Sequence, residues 1–168
     1  MQTSAQTVIS CKPQGCGLCQ LVKLKTFTHS QSHGHTPFEK KAGVFIHDSE
    51  SNRVLVIQSR GNLWGLPKGT FNKHVDNDLI DCALRELYEE TGIRFNRAHF
   101  LNKVTKHINI GNCVYYYINC DQSELEPKHL SQLVGESNDI SGIGWINITC
   151  TPFIKFNYHF KKSLIFFT

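Results

Sequence analysis

Apolar runs of strand length recur along the chain from residue 41 onward. The runs at 42–47 and 54–57 are separated by the polar, turn-like sequence 48–52, which predicts a hairpin or two adjacent strands. Similar apolar runs later in the chain predict more strands. These are expected at 99–105, 113–120 and 143–148.

One segment has helical rather than alternating spacing. Apolar residues three and four positions apart run from Leu79 to Leu87, which predicts an amphipathic helix. Asp78 is a suitable N-cap for this helix, and Gly92 is placed to end it. The preceding segment, 61–73, is interrupted by glycine and proline and is predicted to be an irregular loop.

The two ends of the chain differ from this pattern. Residues 1–40 are predicted to form an N-terminal extension, with a loosely alternating strand at 21–27 and a polar loop at 28–37. Residues 41–168 are predicted to form the main domain. Within it, the aromatic and basic segment 151–164 favours a closing helix.

The order of the elements predicts the fold class. Two strands, a helix, several strands and a last helix indicate an α+β domain with a mixed β-sheet and helices packed on it. The chain has 168 residues, of which 40% are hydrophobic and 11% aromatic, and this is enough to form the core of one such domain.

Charge and cysteine content narrow the classes of protein. The net charge of +4 is compatible with an anionic substrate but far from that of a dedicated nucleic-acid coat protein. No apolar run is long enough for a membrane span, and the first residues lack the pattern of a secretory signal. Seven unevenly spaced cysteines then favour reduced thiols in a cytoplasmic environment.

Three carboxylates share one face of the predicted helix. Glu86 lies three and four positions before Glu89 and Glu90, so the three side chains are neighbours that repel one another. A divalent cation offsets this repulsion, and carboxylate oxygens suit Mg²⁺ or Mn²⁺. The alternative is a solvated acidic face. Arg85 adds a positive charge that can orient a carboxylate or the preceding loop.

The segment from Gly69 to Ile93 resembles the Nudix box, the signature of a hydrolase superfamily. Its second half matches the family pattern at every defined position. These positions are Arg85, Glu86, Leu87, Glu89, Glu90, Gly92 and Ile93. The first half departs, because sixteen positions rather than fourteen separate Gly69 from Arg85, and Asp76 or Asp78 stands in for the usual glutamate.

The resemblance implies a fold and a chemistry. The Nudix fold places a mixed sheet between helices in an α/β/α arrangement, and its members cleave phosphoanhydride bonds with Mg²⁺ or Mn²⁺. By the resemblance, Glu86, Glu89, Glu90 and the carbonyl of Gly69 are the metal ligands. Lys68 in the adjacent loop can contact a phosphate as a point charge, and the alternative is an exposed loop lysine.

The general base has several candidates. Glu89 or Glu90 can accept the proton. Arg85, which can orient such a carboxylate, is counted with them among the candidate catalytic residues. In Nudix enzymes that remove mRNA caps, an acidic residue precedes a strand similar to 140–145, and Asp139 occupies that position. Glu136 is the alternative in the same loop.

The similarity to the mRNA-decapping branch of the family, cellular and viral, extends beyond the box. It runs from Trp64 through Lys73 and again through 81–83. This implies capped RNA as the substrate, with release of 7-methyl-GDP and 5′-monophosphate RNA. Lys68, Lys73, Trp64 and Tyr117 are the candidate substrate contacts, and the basic and aromatic segment 153–162 suits RNA.

Two other functions are compatible with the same residues. Nudix hydrolases of dinucleoside polyphosphates or diphosphoinositol polyphosphates share the fold, so small nucleotides and inositol polyphosphates are alternative substrates. A non-catalytic RNA- or nucleotide-binding module of this fold is the remaining alternative. Such modules usually lack one of the glutamates, whereas this chain has all three.

The N-terminal extension contains a second candidate metal site. Cys11, Cys16 and Cys19, together with His33 or a neighbouring histidine, form a possible Cys₃His set for structural zinc. The alternative is a flexible arm with free thiols.

Overall fold

The computed structural model describes residues 7–12, 14–24, 38–59, 62–125 and 139–166. Its strands are β1 (Thr7–Ile9), β2 (Gln20–Lys23), β3 (Lys41–Asp48), β4 (Arg53–Ser59), β5 (Trp64–Gly65), β6 (Lys68–Thr70), β7 (Val104–Ile110), β8 (Cys113–Asn119) and β9 (Ile140–Asn147). Its α-helices are α1 (Leu79–Thr91), α2 (Arg97–Lys103) and α3 (Tyr158–Ser163). Short 3₁₀ helices span Gln122–Glu124, Ile148–Phe153 and Leu164–Phe166.

The strands form one mixed sheet in the order β1-β2-β9-β4-β3-β8-β7. The pair β3 and β8 is parallel, and the other pairs along this path are antiparallel. The predicted hairpin of β3 and β4 is paired only at its tip, where His47 faces Val54 and Asp48 faces Arg53. The two strands then diverge, and β5 pairs with β4 while β6 pairs with β3. The divergence therefore holds segment 64–70 between two central strands.

Each face of the sheet is covered by helix. Helices α1 and α2 pack on one face, with Leu87 and Phe100 buried among residues such as Val44 of β3. Helix α3 packs on the opposite face through Phe160, against residues such as Phe45. This arrangement confirms the predicted α+β fold with a mixed sheet between helices.

Helix α1 begins and ends at the predicted residues. The Asp78 carboxylate accepts hydrogen bonds from the backbone N–H groups of Ile80 and Asp81, at 2.9 Å each. At the other end Gly92 adopts a left-handed conformation with φ of 77°, and its N–H donates to the Tyr88 carbonyl. A left-handed residue at this position is favourable for glycine because it has no Cβ.

Three local predictions are wrong in part. The strand expected at 99–105 is mostly helix α2, because the Asn96 side chain caps the first turn and Phe100 is buried beneath it. The loop expected at 61–73 contains the two short strands β5 and β6. The closing helix expected at 151–164 is divided into a 3₁₀ helix and α3, and Asn157 caps the second of these.

The N-terminal segment contributes to the same sheet. Strand β2 pairs with β9 from Gln20 opposite Trp145 to Lys23 opposite Gly142, and β1 pairs with β2. The strand predicted at 21–27 is thus present in part, and the predicted loop at 28–37 lies outside the described residues. The division of the chain at residue 40 stays a prediction. Among the described residues, no helix is long and apolar enough to cross a membrane.

Candidate active site

The carboxylate face of α1 lies directly against β6. The backbone N–H of Lys68 donates a hydrogen bond of 2.9 Å to a carboxylate oxygen of Glu90. Gly69 approaches Glu86 so closely that a Cβ built on the glycine would lie 2.0 Å from the carboxyl carbon. The loop and the helix therefore meet at the acidic stripe that the sequence predicts.

Burial and mutual repulsion raise the pKa of two of these carboxyls. The pKa of Glu90 is well above its usual value, because the group is removed from water and lies near the Glu86 charge. Burial also raises the pKa of Glu86, and the neighbouring Arg85 opposes this effect. The Glu89 side chain is 39% exposed, whereas that of Glu86 is 14% exposed, so Glu89 is the more accessible of the two to water. A bound cation would favour the ionised form of Glu86 and Glu90.

Arg85 joins the acidic stripe to the preceding loop. Its guanidinium donates two hydrogen bonds to the Asp76 carboxylate, at 2.8 and 2.9 Å, and one of 3.0 Å to the Thr70 carbonyl. It also pairs with Glu86 at 2.7 Å and Glu89 at 3.3 Å. Arg85 therefore fixes both the loop and two of the three acidic side chains.

The structure distinguishes the two aspartates that could replace the family's usual glutamate. Asp76 is buried and pairs with Arg85, whose hydrogen bonds lower the pKa of the aspartate. Asp78 caps α1 and pairs with Arg97 instead. The two-residue difference in spacing is thus accommodated by an aspartate that reaches the same arginine.

An open pocket of about 640 Å³ adjoins this network. It is lined by Glu39, Thr70, Phe71, Asn72, Lys73, His74 and Arg85. The predicted contact Lys73 is exposed at this pocket. Asn72 and His74 were not among the predicted site residues, although Asn72 belongs to the stretch that resembles decapping enzymes.

Lys41, which was not among the predicted site residues, lies beside β6. The pKa of Lys41 is lowered by burial and by the nearby charge of Lys68. Lys41 is the first residue of β3 and faces Thr70 of β6. The positively charged side chains of Lys41 and Lys68 therefore lie close together near the carboxylates, which suits the binding of an anionic group at β6.

The other predicted substrate contacts lie elsewhere. Trp64 is only 4% exposed and packs in the core beneath α3, and its role as a substrate contact stays a prediction. Tyr117 packs on the sheet face opposite α1, where its hydroxyl hydrogen bonds to His47 at 2.8 Å. Asp139, a candidate general base, is exposed and lies immediately before β9.

The C-terminal aromatic residues divide into two groups. Phe156 and Phe160 are buried and stacked, with ring centroids 4.0 Å apart. Phe153 and Tyr158 are exposed. Tyr115 hydrogen bonds to His159, and burial lowers the pKa of this histidine to about 4. Within segment 153–162, Phe153 and Tyr158 are therefore the accessible aromatic rings.

Four cysteine sulfurs meet on the α3 side of the sheet. The Sγ atoms of Cys11, Cys16, Cys19 and Cys150 all lie within 4.8 Å of one another. The sequence predicted the first three, and the fourth was missed because Cys150 is distant along the chain. His33, the predicted fourth ligand, lies outside the described residues.

A mixed sheet between helices, with an acidic helix held against a glycine loop, defines the class of protein as a NUDIX-type domain. The NUDIX domain model matches residues 37–163. The chain belongs to the NUDIX family.

Individual relatives agree with this assignment. Protein 111R of Invertebrate iridescent virus 3 is 35% identical over 141 residues, covering 82% of this chain and 76% of that protein. Subunit 2 of the mRNA decapping complex of Schizosaccharomyces pombe is 33% identical over 121 residues, which cover 68% of this chain but 15% of that subunit. The chain thus matches a small part of the yeast protein.

A solved structure supports the fold. The MutT NUDIX hydrolase from Burkholderia pseudomallei superposes with a TM-score of 0.55 over 77% of this chain and 98% of that protein. The sequences are 18% identical, so this similarity concerns the fold alone.

Proposed function

We propose that this protein hydrolyses a phosphoanhydride bond with a divalent cation, and that the bond is in the 5′ cap of mRNA. The products are then 7-methyl-GDP and 5′-monophosphate RNA. The observation that carries the proposal is the contact of β6 with α1, which places Glu90 against the Lys68 N–H and Glu86 against Gly69. Arg85 holds Glu89 beside them.

The donor set fits Mg²⁺ or Mn²⁺. Carboxylates and a backbone carbonyl are hard oxygen ligands. The raised pKa values of Glu86 and Glu90 come first from burial and then from the neighbouring carboxylates, and a bound cation would counter both effects. Glu86, Glu89, Glu90 and the Gly69 carbonyl are the groups that would hold the cation. When bound, such a cation neutralises phosphate charge and lowers the pKa of a coordinated water.

The remaining residues bind and orient the substrate. Lys68 and Lys73 supply positive charge for phosphate oxygens on either side of the loop, and Arg85 keeps the acidic side chains in place. Glu89 is accessible to water and can accept the proton of the attacking water. Asp139 is the alternative base.

Two observations support cap cleavage. The matched relatives include a decapping subunit, with 33% identity across 68% of this chain. The pocket beside Arg85 has a volume suited to a nucleotide and is lined by Phe71, Asn72 and Lys73, which offer an apolar surface, an amide and a positive charge.

A substrate panel tests the proposal. Cap-labelled RNA, 5′-triphosphate RNA, dinucleoside polyphosphates and diphosphoinositol polyphosphates are incubated with the protein and Mg²⁺ or Mn²⁺, and products are identified by chromatography. We expect 7-methyl-GDP from capped RNA, with KM rising steeply with salt because several phosphate contacts release counterions. Turnover of only a small nucleotide would reject the cap assignment.

Variants identify the site responsible. Glu89→Gln removes one acidic group, and we expect the rate to fall by at least about 100-fold. Glu124→Gln is the matched control, because Glu124 forms an exposed ion pair with Lys103 away from α1. No turnover of any substrate with either metal, or equal activity of both variants, would contradict the hydrolase proposal.

A further inference from the structure

We infer that Cys11, Cys16, Cys19 and Cys150 form a structural zinc site that fastens the N-terminal strands to the rest of the domain. This site is separate from the proposed active site. The cysteines lie with the core on the α3 side of the sheet, whereas the acidic helix α1 lies on the opposite side.

The sulfur positions suit a tetrahedral ion. Zinc–thiolate bonds of about 2.3 Å in a tetrahedron place the sulfurs about 3.8 Å apart. The four Sγ atoms lie within 4.8 Å of one another, and those of Cys11 and Cys16 are 3.0 Å apart. The latter distance exceeds the roughly 2.05 Å of a disulfide bond, and all four thiols are free.

Backbone N–H groups already point at two of the sulfurs. Leu18 and Cys19 donate to the Cys16 sulfur at 3.4 and 3.3 Å. Asn147 donates to the Cys19 sulfur at 3.2 Å. Gly17 has a φ of 66°, which permits the tight turn between the two cysteines. Such donors stabilise negative charge on sulfur, the form that binds metal.

The position of the cluster shows what the ion would do. Cys11, Cys16 and Cys19 lie in the connection between β1 and β2, and Cys150 lies in the 3₁₀ helix that follows β9. Cys11 and Cys150 are buried, so the cluster is closed on its inner side. Four protein ligands leave no open position for a substrate, which is typical of a structural rather than a catalytic site.

Metal analysis tests the inference on the intact chain. The protein is purified under reducing conditions, and its zinc content is measured by inductively coupled plasma mass spectrometry. We expect about one zinc per chain, together with a Co²⁺ derivative that has the thiolate charge-transfer absorption of a tetrahedral sulfur site. That absorption distinguishes the cysteine cluster from cobalt bound by the carboxylates of α1.

Variants assign the ligands. Cys150→Ser and Cys16→Ser should each lose the zinc and the cobalt absorption, and should lower the melting temperature by roughly 5 °C or more. Cys120→Ser is the matched control, because Cys120 is equally buried but lies at the end of β8, outside the cluster. It should retain one zinc.

Several results would overturn the inference. The wild-type protein could lack zinc and fail to take it up, or a disulfide among these cysteines could be mapped in its place. Zinc retained by both Cys150→Ser and Cys16→Ser would also contradict the assignment. The wild-type metal content decides the question even if a variant does not fold, and none of these results depends on hydrolase activity.

Discussion

At the scale of single residues, Gly69 lies against the Glu86 side chain in the proposed active site. The volume that a side chain at position 69 would need is occupied by the Glu86 carboxylate, with all three of its terminal atoms within 2.3 Å of a built Cβ. The obstructing group is the flexible end of a side chain, so it can move aside. Glycine at this position therefore preserves the position of the carboxylate rather than the fold.

This contact predicts that Gly69→Ala lowers activity more than stability. The added methyl should displace the Glu86 carboxylate and reduce kcat by roughly 10-fold or more, because a small misplacement of a catalytic group is costly. The melting temperature should change by only a few degrees. Steady-state kinetics and thermal unfolding check this, and a large loss of stability with unchanged kcat would contradict it.

At the scale of elements, α1 depends on its N-terminal cap. Asp78 accepts two backbone hydrogen bonds and also pairs with Arg97 of α2, at 2.5 Å. The hydrogen bonds from Arg97 lower the pKa of Asp78 to about 2 from the usual 3.8. One side chain thus begins the acidic helix and connects it to the next helix.

Two substitutions separate these roles. Asp78→Ala should cost about 1 kcal/mol of unfolding free energy, since the helix loses its cap. Asp78→Asn keeps a capping oxygen and loses only the charge, so its cost should be smaller because the ion pair is largely exposed. Urea unfolding of both variants measures the difference, and equal costs would contradict the assigned capping role.

The pH dependence of the Asn variant follows from the direction of the pKa shift. A carboxyl with a lowered pKa stabilises the folded state above its unfolded pKa of 3.8, and this contribution is lost as the pH falls through about 2. The stability difference between wild type and Asp78→Asn should therefore be constant near neutral pH and shrink below about pH 4. A difference that grows on acidification would contradict this.

At the scale of the whole molecule, the sheet separates two cores. The acidic helix contributes to one core, and α3 contributes to the other. Strands β3 and β4 diverge between the cores, and β6, which pairs with β3, lies against α1 through Lys68 and Gly69. The sheet therefore positions the proposed active site, while α3 and the cysteine cluster stabilise the opposite side.

This division predicts that the α3 core affects stability more than chemistry. Phe160→Ala removes a fully buried ring stacked on Phe156 and should cost roughly 3–5 kcal/mol. The activity per folded molecule should remain close to that of wild type. Phe153→Ala is the control, because this ring is exposed and its loss should change stability by about 0.5 kcal/mol or less.

Several secondary-structure elements are specified by local sequence signals and could therefore be predicted from the sequence. The spacing of apolar residues indicates α1, and the capping chemistry of Asp78 and Gly92 places its ends. Helix α2 was missed because the burial of Phe100 depends on packing against the sheet, although its cap, Asn96, is a local signal. Strand β6 was missed because it pairs with β3, which is distant in sequence, and β5 was missed because its two residues are too few to form a pattern.

The sequence by itself determined the acidic stripe of α1, since residues three and four apart on a helix are neighbours in any fold. Only the tertiary structure decided that Asp76 rather than Asp78 pairs with Arg85, that Trp64 is buried, and that Cys150 completes the cysteine cluster. The surroundings of Trp64 and Cys150 depend on segments that are separated along the chain and brought together by the fold, and the choice of aspartate depends on the path of the irregular segment before α1. Spacing within one segment carries no information about such contacts.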